Sequence, residues 1–533
     1  MPTAELALTN GLIRPLRLRR TALEALATAV ALAFAYLALH PLTADLAAQV
    51  YRTELFQRVG FTLWNGQWFG GHHTPGYSVL FPPAAALLGP RTVGVLAAVA
   101  SALLFERLTH DRLGSRARVG AIWFGAATAT NLFTGRLTFA LGVALGLSAL
   151  LAAERGRTRL AVALAVLCPL GSPVAGLFLA LAAAAWFWAD GRRAALLLGA
   201  AAAVTAGGLA LLFPEGGMEP FAVSSFWPVL AFAAAVLALV PRQERWLRRG
   251  AILYAGACVL AFALSTPMGS NAARLGTLFG GPLLACVLWR RRAWALALLA
   301  LPLLYWQWLP PVRDVAAASG DPSVQASYYA PLNAFLARAR PAGRVEIPLT
   351  RIHWETVYVA PRFALARGWE RQLDIKYNGL FYAPRLRPAT YRAWLRSNGV
   401  EYVALSDARL DYSSLTEAAL IRSGPPYLRR VWRGAHWSVF RVLGAAPLVA
   451  GPARLAALDP NAFTLDVGRP ATLDVRVRFT RYWSVEQGTG CVERGPGGFT
   501  RVVARRPGPL RVVAELNPGD LLGGTKRCPA GAA

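Results

Sequence analysis

Arg192-Arg-Ala-Ala-Leu-Leu-Leu-Gly-Ala-Ala-Ala-Ala-Val-Thr-Ala-Gly-Gly-Leu-Ala-Leu-Leu-Phe-Pro-Glu-Gly-Gly-Met-Glu-Pro220 opens on two arginines, continues as an apolar run of about twenty residues, and ends in a loop without Lys or Arg. A run of about 20 apolar residues is the length that crosses a bilayer as one helix. Basic flanks stay on the cytoplasmic side, so this one segment predicts both a crossing and its direction.

The same grammar repeats on either side of it. Apolar runs fall at about 21–40, 79–105, 119–134, 137–153, 159–170, 173–189, 194–213, 225–240, 250–265, 275–289 and 293–309. The fifth is short and reads as half of a broken hairpin with the sixth, around Cys168-Pro-Leu-Gly-Ser-Pro173. Alternate loops are basic: Arg107/Arg112/Arg116/Arg118, Arg155/Arg157/Arg159, Arg192/Arg193, Arg242/Arg245/Arg248/Arg249 and Arg290/Arg291/Arg292. With the Arg14/Arg17/Arg19/Arg20 terminus inside, an odd number of crossings, about eleven, puts everything after residue 310 outside the cell. The first apolar run is too long for a signal-peptide core and no small-residue cleavage site follows it, so it is expected to stay.

Composition agrees. Hydrophobic residues make up 55% of the 533 and charged residues 16%, against about 25% charged in soluble domains. The net charge of +28 does not indicate nucleic acid. The arginines sit in loops between apolar runs or are scattered through later strands, with no basic stripe. Cys168, Cys258 and Cys286 lie in apolar runs as small inert residues, while Cys491 and Cys528 lie near the C-terminus, where their pairing is left open.

The expected architecture is an α-helical polytopic membrane domain over 1–310, an extracytoplasmic α/β region over 311–446, and a C-terminal β-sandwich over 447–533. Arg344-Val-Glu-Ile-Pro-Leu349 and Val400-Glu-Tyr-Val-Ala-Leu405 read as strands, with a helix from Thr390 to Ser397 between them. Ala471-Thr-Leu-Asp-Val-Arg-Val-Arg-Phe479 alternates apolar and polar residues as a half-buried strand does, and further short strands near 499–505 and 510–516 follow Gly/Pro turns.

The first outer loop, 41–77, is long and rich in Gly, His and aromatic residues, the kind of loop that carries function. Asp45 has two readings from residues alone. It is a desolvated base at the outer interface, or it and Thr43 cap a short interfacial helix through Gln49 to Phe56. Trp64, Trp68 and Tyr77 either stack on a sugar face or anchor the loop at the interface. His72 and His73 are candidates for substrate contact. They lack visible partner ligands, so no metal site is expected. Arg274 and Arg136 either grip phosphate through their forked guanidinium or snorkel from helix ends. The cluster His353-Trp-Glu355, Arg367-Gly-Trp-Glu-Arg-Gln-Leu-Asp374 and Lys376-Tyr-Asn378 reads either as a carbohydrate-binding surface or as a salt-bridge network that seals the outer region against the loops.

Asp45-Leu-Ala-Ala-Gln-Val-Tyr-Arg, Trp64-Asn-Gly-Gln-Trp-Phe-Gly-Gly and Pro75-Gly-Tyr-Ser resemble the first outer loop of GT-C membrane glycosyltransferase-like proteins, in particular bacterial multi-pass members with a C-terminal outer domain. The resemblance implies a GT-C-like helical domain and a sugar transferred from a polyprenyl-phosphate donor, without a cofactor, to an envelope glycan acceptor. It makes Asp45 the general base, with Glu54 in reserve, and gives the donor phosphate to Arg274 or Arg136. Members often carry two acids together in this loop, whereas Asp45 stands alone here. That departure keeps two alternatives in view: a non-catalytic envelope-assembly membrane protein, and a lipid or glycan transporter, although the spans are mostly Ala, Leu and Val at mid-depth. The expected partners are the lipid-linked sugar, the glycan and membrane lipid.

Overall fold

A computed structural model describes residues 19–516 and Cys528. Arg14 and Arg17 fall outside them. Apart from a two-stranded hairpin in the long loop at 60–80, the apolar half is helical: α1 (Arg20–Leu39), α2 (Ala44–Val59), α3 (Phe81–Leu88), α4 (Pro90–Leu113), α5 (Arg118–Thr134), α6 (Leu137–Glu154), α7 (Thr158–Gly171), α8 (Pro173–Asp190), α9 (Arg193–Leu212), α10 (Val223–Leu239), α11 (Arg245–Ala263), α12 (Ala273–Leu288) and α13 (Ala293–Ala318). Eight stretches are long and apolar enough to cross a membrane: α1, the 45 residues Pro90–Thr134, α6, α8, α9, α11, Gly269–Leu288 and α13. The 14-residue α7 and the 17-residue α10 are apolar but shorter. The chain is a multi-pass membrane protein with a separate sheet-containing part.

Two boundaries differ from the expected ones. The run at 79–105 is divided at Gly89-Pro90, where Gly89 takes φ +84° and proline starts a new helix in its favoured first position. The run expected to end near 309 continues to Ala318 through Pro302, Pro310 and Pro311, so the boundary expected at 310 falls inside α13. The last turns of that helix bear Arg313 and Asp314.

Beyond α13 come α14 (Ala326–Ala339), β1 and β2 having already formed in the first loop (Trp64–Asn65 and His72–His73), then β3 (Arg344–Glu346), α15 (Glu355–Tyr358), α16 (Arg371–Asn378), α17 (Pro388–Ser397), β4 (Val400–Ser406), α18 (Leu415–Arg422), β5 (Leu428–Arg433) and β6 (Trp437–Val442). The sheet order is β3-β4-β6-β5, with β3 parallel to β4 and the other pairs antiparallel. Strand β4 is buried along most of its length because α17 sets Tyr391, Trp394 and Leu395 against it at helical spacing.

The last part contains β7 (Val449–Ala450), β8 (Ala453–Leu458), β9 (Ala462–Val467), β10 (Ala471–Arg478), β11 (Trp483–Gln487), β12 (Gly490–Arg494), β13 (Phe499–Ala504) and β14 (Gly508–Ala514). These form two four-stranded antiparallel sheets, β12-β13-β10-β7 and β11-β14-β9-β8. Leu473, Val475 and Val477 alternate inward from β10, as a strand with one buried face requires. A disulfide joins Cys491 to Cys528.

The segment from residue 41 to 77 is the keystone. Its β1–β2 hairpin enters the seam between the helices and both sheet regions. Trp64 joins the sandwich core, 5.6 Å from Trp483. The Phe69 carbonyl accepts from Arg478 at 2.7 Å, and the Gln67 carbonyl accepts from the Leu365 amide at 2.8 Å. Gly71 has φ +127° and a Cβ there would lie 2.2 Å from the Trp64 ring, so only glycine fits that turn.

Candidate functional site

The site begins at a tight turn. Helix α5 ends at Gly135, which takes φ +79° and returns its N–H to the Asn131 and Leu132 carbonyls, an ordinary glycine helix stop. The N-terminus of α2 sits directly on that glycine: a Cβ would stand 2.4 Å from the Leu46 nitrogen. This approach sets Arg136 beside Asp45, with Nε donating to Oδ2 at 3.0 Å. The two side chains keep 26% and 23% of their surface open. Thr43, at the N-cap, makes no capping hydrogen bond, and Asp45 lies within the first turn. Its role there is the ion pair rather than a cap, with added support from the helix dipole.

Gly135→Ala is expected to break this arrangement. A left-handed conformation costs an L-residue roughly 1–2 kcal/mol, and the methyl group would also meet α2 backbone that cannot yield. The expected result is a lowered unfolding midpoint for the detergent-solubilised chain. A wild-type midpoint would contradict the contact.

Asp45 and Arg136 border a cavity of about 1950 Å³. Tyr77, His73 and Arg274 border it too. Tyr77 is held by Gln49, which donates to its hydroxyl at 2.8 Å, and by the Arg52 guanidinium 3.7 Å over its ring. His73 Nδ1 stands 2.7 Å from Glu215 and its Nε2 2.9 Å from the Thr480 hydroxyl. Burial pushes Glu215 up, but His73 more than offsets it and holds the carboxyl below its ordinary range. Arg274 lies 5.7 Å over the Phe139 ring.

The other candidates are elsewhere. Trp64 is in the sandwich core, and Trp68 stacks on Tyr51 at 4.3 Å and on His72 at 5.5 Å. His72 is buried 3.6 Å from Glu370, and burial lowers it to about 3, so it is neutral at ordinary pH. Glu54 lies near Tyr358 on a different side of α2, where burial raises it. None of these four borders the cavity; Trp64, Trp68 and His72 pack the loop in place, and interior aromatic and histidine residues look the same in sequence as binding ones.

The cavity also gathers residues that sequence reading passed over. Asp314 and Arg313 come from the prolonged end of α13, Arg351 from the loop after β3, Glu219 from the α9–α10 loop, and Asp411 from the segment between β4 and α18. Burial opposes the charge on Arg136, and Asp45 and Asp314 together more than restore it. A second carboxylate, supplied by a distant helix, thus adds to the field of Asp45 at this guanidinium. Its signal was an acid following Pro310-Pro311, which sequence reading took as the start of the soluble region.

The outer cluster divides in two. Arg367, Asp374 and Asn378 are buried inside the domain. Trp369 and Arg371 face the cavity. Trp369 donates to the Ala44 carbonyl at 2.8 Å, and Arg371 grips Asp411 with two bonds of 2.8 and 2.7 Å. His353 stands 3.7 Å from Asp411 and 3.6 Å from Glu355, with φ +61°.

Burial works against the His353 charge, and Asp411 and Glu355 more than reverse it, raising the ring to about 9 from 6.5. A base raised in the folded state contributes its full stability below the unfolded value and loses it as pH climbs through the folded one. The stability of the sheet region that holds His353 is therefore expected to fall between pH 6.5 and 9, by about 3 kcal/mol at most at ~1.4 kcal/mol per unit. Unfolding midpoints across that range should flatten in His353→Gln; an unchanged slope would contradict the assignment.

Among the described residues no group of three or more His, Cys, Asp or Glu side chains is placed to hold a metal. No family model matches the chain, and no curated protein matches it.

Proposed function

We propose that the protein is a membrane glycosyltransferase of the GT-C type, moving a sugar from a polyprenyl-phosphate donor to an envelope glycan acceptor at the outer face of the cell membrane. One observation carries the reading: the Asp45–Arg136 pair and Arg274 share a single cavity whose walls continue as apolar helix surface. An anionic head with a long apolar chain is the ligand such a cavity matches, because an arginine in apolar surroundings gains most from a phosphate.

Eleven crossings put the basic loops in the cytoplasm and the sheet regions outside. The Cys491–Cys528 disulfide supports that side, since disulfides persist in oxidising compartments. In the reaction, Asp45 takes the proton of an acceptor hydroxyl, and the freed oxygen bonds to the anomeric carbon. The bond from that carbon to the phosphate oxygen breaks, its electron pair leaving on polyprenyl phosphate. Arg274 neutralises the leaving group. Arg136 aims the Asp45 carboxylate, whose Oδ1 has no partner among the described residues and is open to the acceptor. Trp369 and Tyr77, edge to face at 6.2 Å, supply apolar surface for a sugar.

The test uses the chain in liposomes with a panel of radiolabelled decaprenyl-phosphate hexoses and pentoses and crude envelope glycan as acceptor. At least one donor should release decaprenyl phosphate, and Arg274→Ala should raise its KM tenfold or more. If the wild type turns over no member of the panel, the reading falls.

A further inference from the structure

A second cavity, of about 250 Å³, lies inside the helical bundle, enclosed by α4, α6, α8, α11 and α12 with Phe232 of α10. On α6 its wall runs from Gly142 to Glu154, and on α8 from Ala175 to Trp186. At ~1.5 Å per residue these walls are roughly 18 and 16 Å long. One leaflet supplies about 15 Å of a hydrocarbon core of ~30 Å, so the cavity is a slot one leaflet deep. Away from its ends the lining is apolar, with Phe105 and Phe279 6.1 Å apart. The Tyr254 hydroxyl is already committed: it accepts from the Gly276 N–H at 3.0 Å and donates to the Ala272 carbonyl at 3.1 Å. An apolar void of this size stays dry and forfeits dispersion contacts along its whole wall. It calls for an apolar filling.

The charged groups of the slot meet at one end. Arg112, in the last turn of α4, donates from Nε to Glu154, the final residue of α6. Its guanidinium lies 5.0 Å over the Trp186 ring of α8 and 5.5 Å over the Trp246 ring in the first turn of α11. Four helices thus close around one cation, at the end whose loops are basic, and the two indoles stand where interfacial tryptophans do. The ion pair is only half used. Glu154 Oε2 is buried without a hydrogen-bond partner. Among the described residues Arg112 makes a hydrogen bond through Nε alone. Arg192 lies 5.8 Å from the same Trp186 ring and has no ion pair among the described residues. This end therefore offers guanidinium donors without an acceptor and a carboxylate oxygen without a donor.

We infer that the slot seats one phospholipid with a primary-amine head, drawn from the leaflet on the basic side of the membrane. One acyl chain fills the slot, the phosphate meets Arg112 and Arg192, and the ammonium donates to Glu154 Oε2. The phosphate brings the acceptors that the guanidiniums lack, and the ammonium brings the donor that the carboxylate lacks. A choline head has no N–H and leaves Glu154 unpaired. A glycerol head brings a hydroxyl but no cation. The bound lipid joins α4, α6, α8 and α11 as a structural member of the bundle. The site uses none of the residues assigned to sugar transfer and stands apart from that reading.

The test is native mass spectrometry of the delipidated full chain, titrated with phosphatidylethanolamine, phosphatidylcholine, phosphatidylglycerol or decaprenyl phosphate. One equivalent of phosphatidylethanolamine is expected, held roughly tenfold tighter than the other three, the order of one charge-assisted hydrogen bond. Glu154→Gln should bring it level with phosphatidylcholine. Ala182 borders the slot, so Ala182→Leu should lose the equivalent. Added phosphatidylethanolamine should raise the unfolding midpoint of the wild type and leave that of Ala182→Leu unmoved. Should Ala182→Leu fail to fold, Glu154→Gln decides alone, and an amine preference that survives it overturns the inference. Four lipids held alike mark the ordinary lipid coat and overturn it too, as does no retained equivalent, or a folded Ala182→Leu that keeps its lipid. Tighter binding of phosphatidylglycerol or decaprenyl phosphate overturns the assigned head and with it the proposal.

Discussion

If the proposed transferase activity holds, Asp45→Asn is expected to lower sugar transfer by roughly 10²- to 10⁴-fold, the usual contribution of a positioned general base, with the protein still folded and still binding donor. The change is nearly isosteric. The amide oxygen still accepts from Arg136 Nε, the contact that now spans 3.0 Å, so α2 keeps its seat on the α5–α6 turn. What is lost is a site for the acceptor proton. The change also removes one negative charge from a cavity that holds Arg136 and Arg274, so attraction for a phosphate is not weakened. The donor KM should therefore stay level or fall while kcat collapses. A purely structural role for Asp45 would instead move the unfolding midpoint and KM together. Full transfer activity in reconstituted membranes would remove Asp45 from the mechanism. Asp314→Asn should cost less, because Arg136 makes its ion pair with Asp45 and none with Asp314 among the described residues; in the double variant the residual rate of Asp45→Asn should fall further if Asp314 takes over part of the proton transfer.

Much of this molecule was legible as sequence. The helices follow from apolar runs bounded by arginine or proline, and β10 from strict alternation, because in both cases local pattern and burial agree. The pairing of Asp45 with Arg136 was not legible. The two residues are 91 positions apart, and what brings them together is a glycine whose missing Cβ lets two helices touch. Asp314 was hidden for a different reason: prolines at 310 and 311 read as a helix end, yet proline is tolerated in a helix whose neighbours support it. Trp64, Trp68 and His72 show the converse. Their composition looks like a binding loop, but their rings serve as the mortar between a membrane domain and two sheet regions. Sequence pattern reports what a residue can do, and only the packing around it selects which of those roles it has.

The second large effect concerns the domain that roofs the cavity. Arg367→Met is expected to destabilise it by about 3–5 kcal/mol, the cost of removing one partner from a buried ion pair. All five guanidinium donors are used: Nε and one terminal nitrogen donate to Asp374 at 3.0 and 2.6 Å, and the rest reach Ser413, Ser414 and Glu417 at 2.8, 2.9 and 3.2 Å. Phe381 lies 4.1 Å under the same group. Methionine fills much of the volume but leaves Asp374 to the hydroxyl of Tyr382 and the amide of Asn378 alone. Burial and the neighbouring Glu417 already push Glu346 well above the usual carboxylate range, so this interior cannot absorb further uncompensated negative charge. Pairing Arg367→Met with Asp374→Leu should restore part of the loss, because the stranded carboxylate goes with its partner; equal destabilisation in the single and double variants would place the cost in packing instead. Trp369 and Arg371 leave the same segment toward the cavity, so the single variant should also lose donor turnover, and should do so at temperatures where the membrane helices remain folded. Proteolysis of this domain during a thermal ramp, read beside the unfolding of the helices, separates the two events. A protease-resistance midpoint unchanged from wild type would show that the buried arginine does not hold this roof in place.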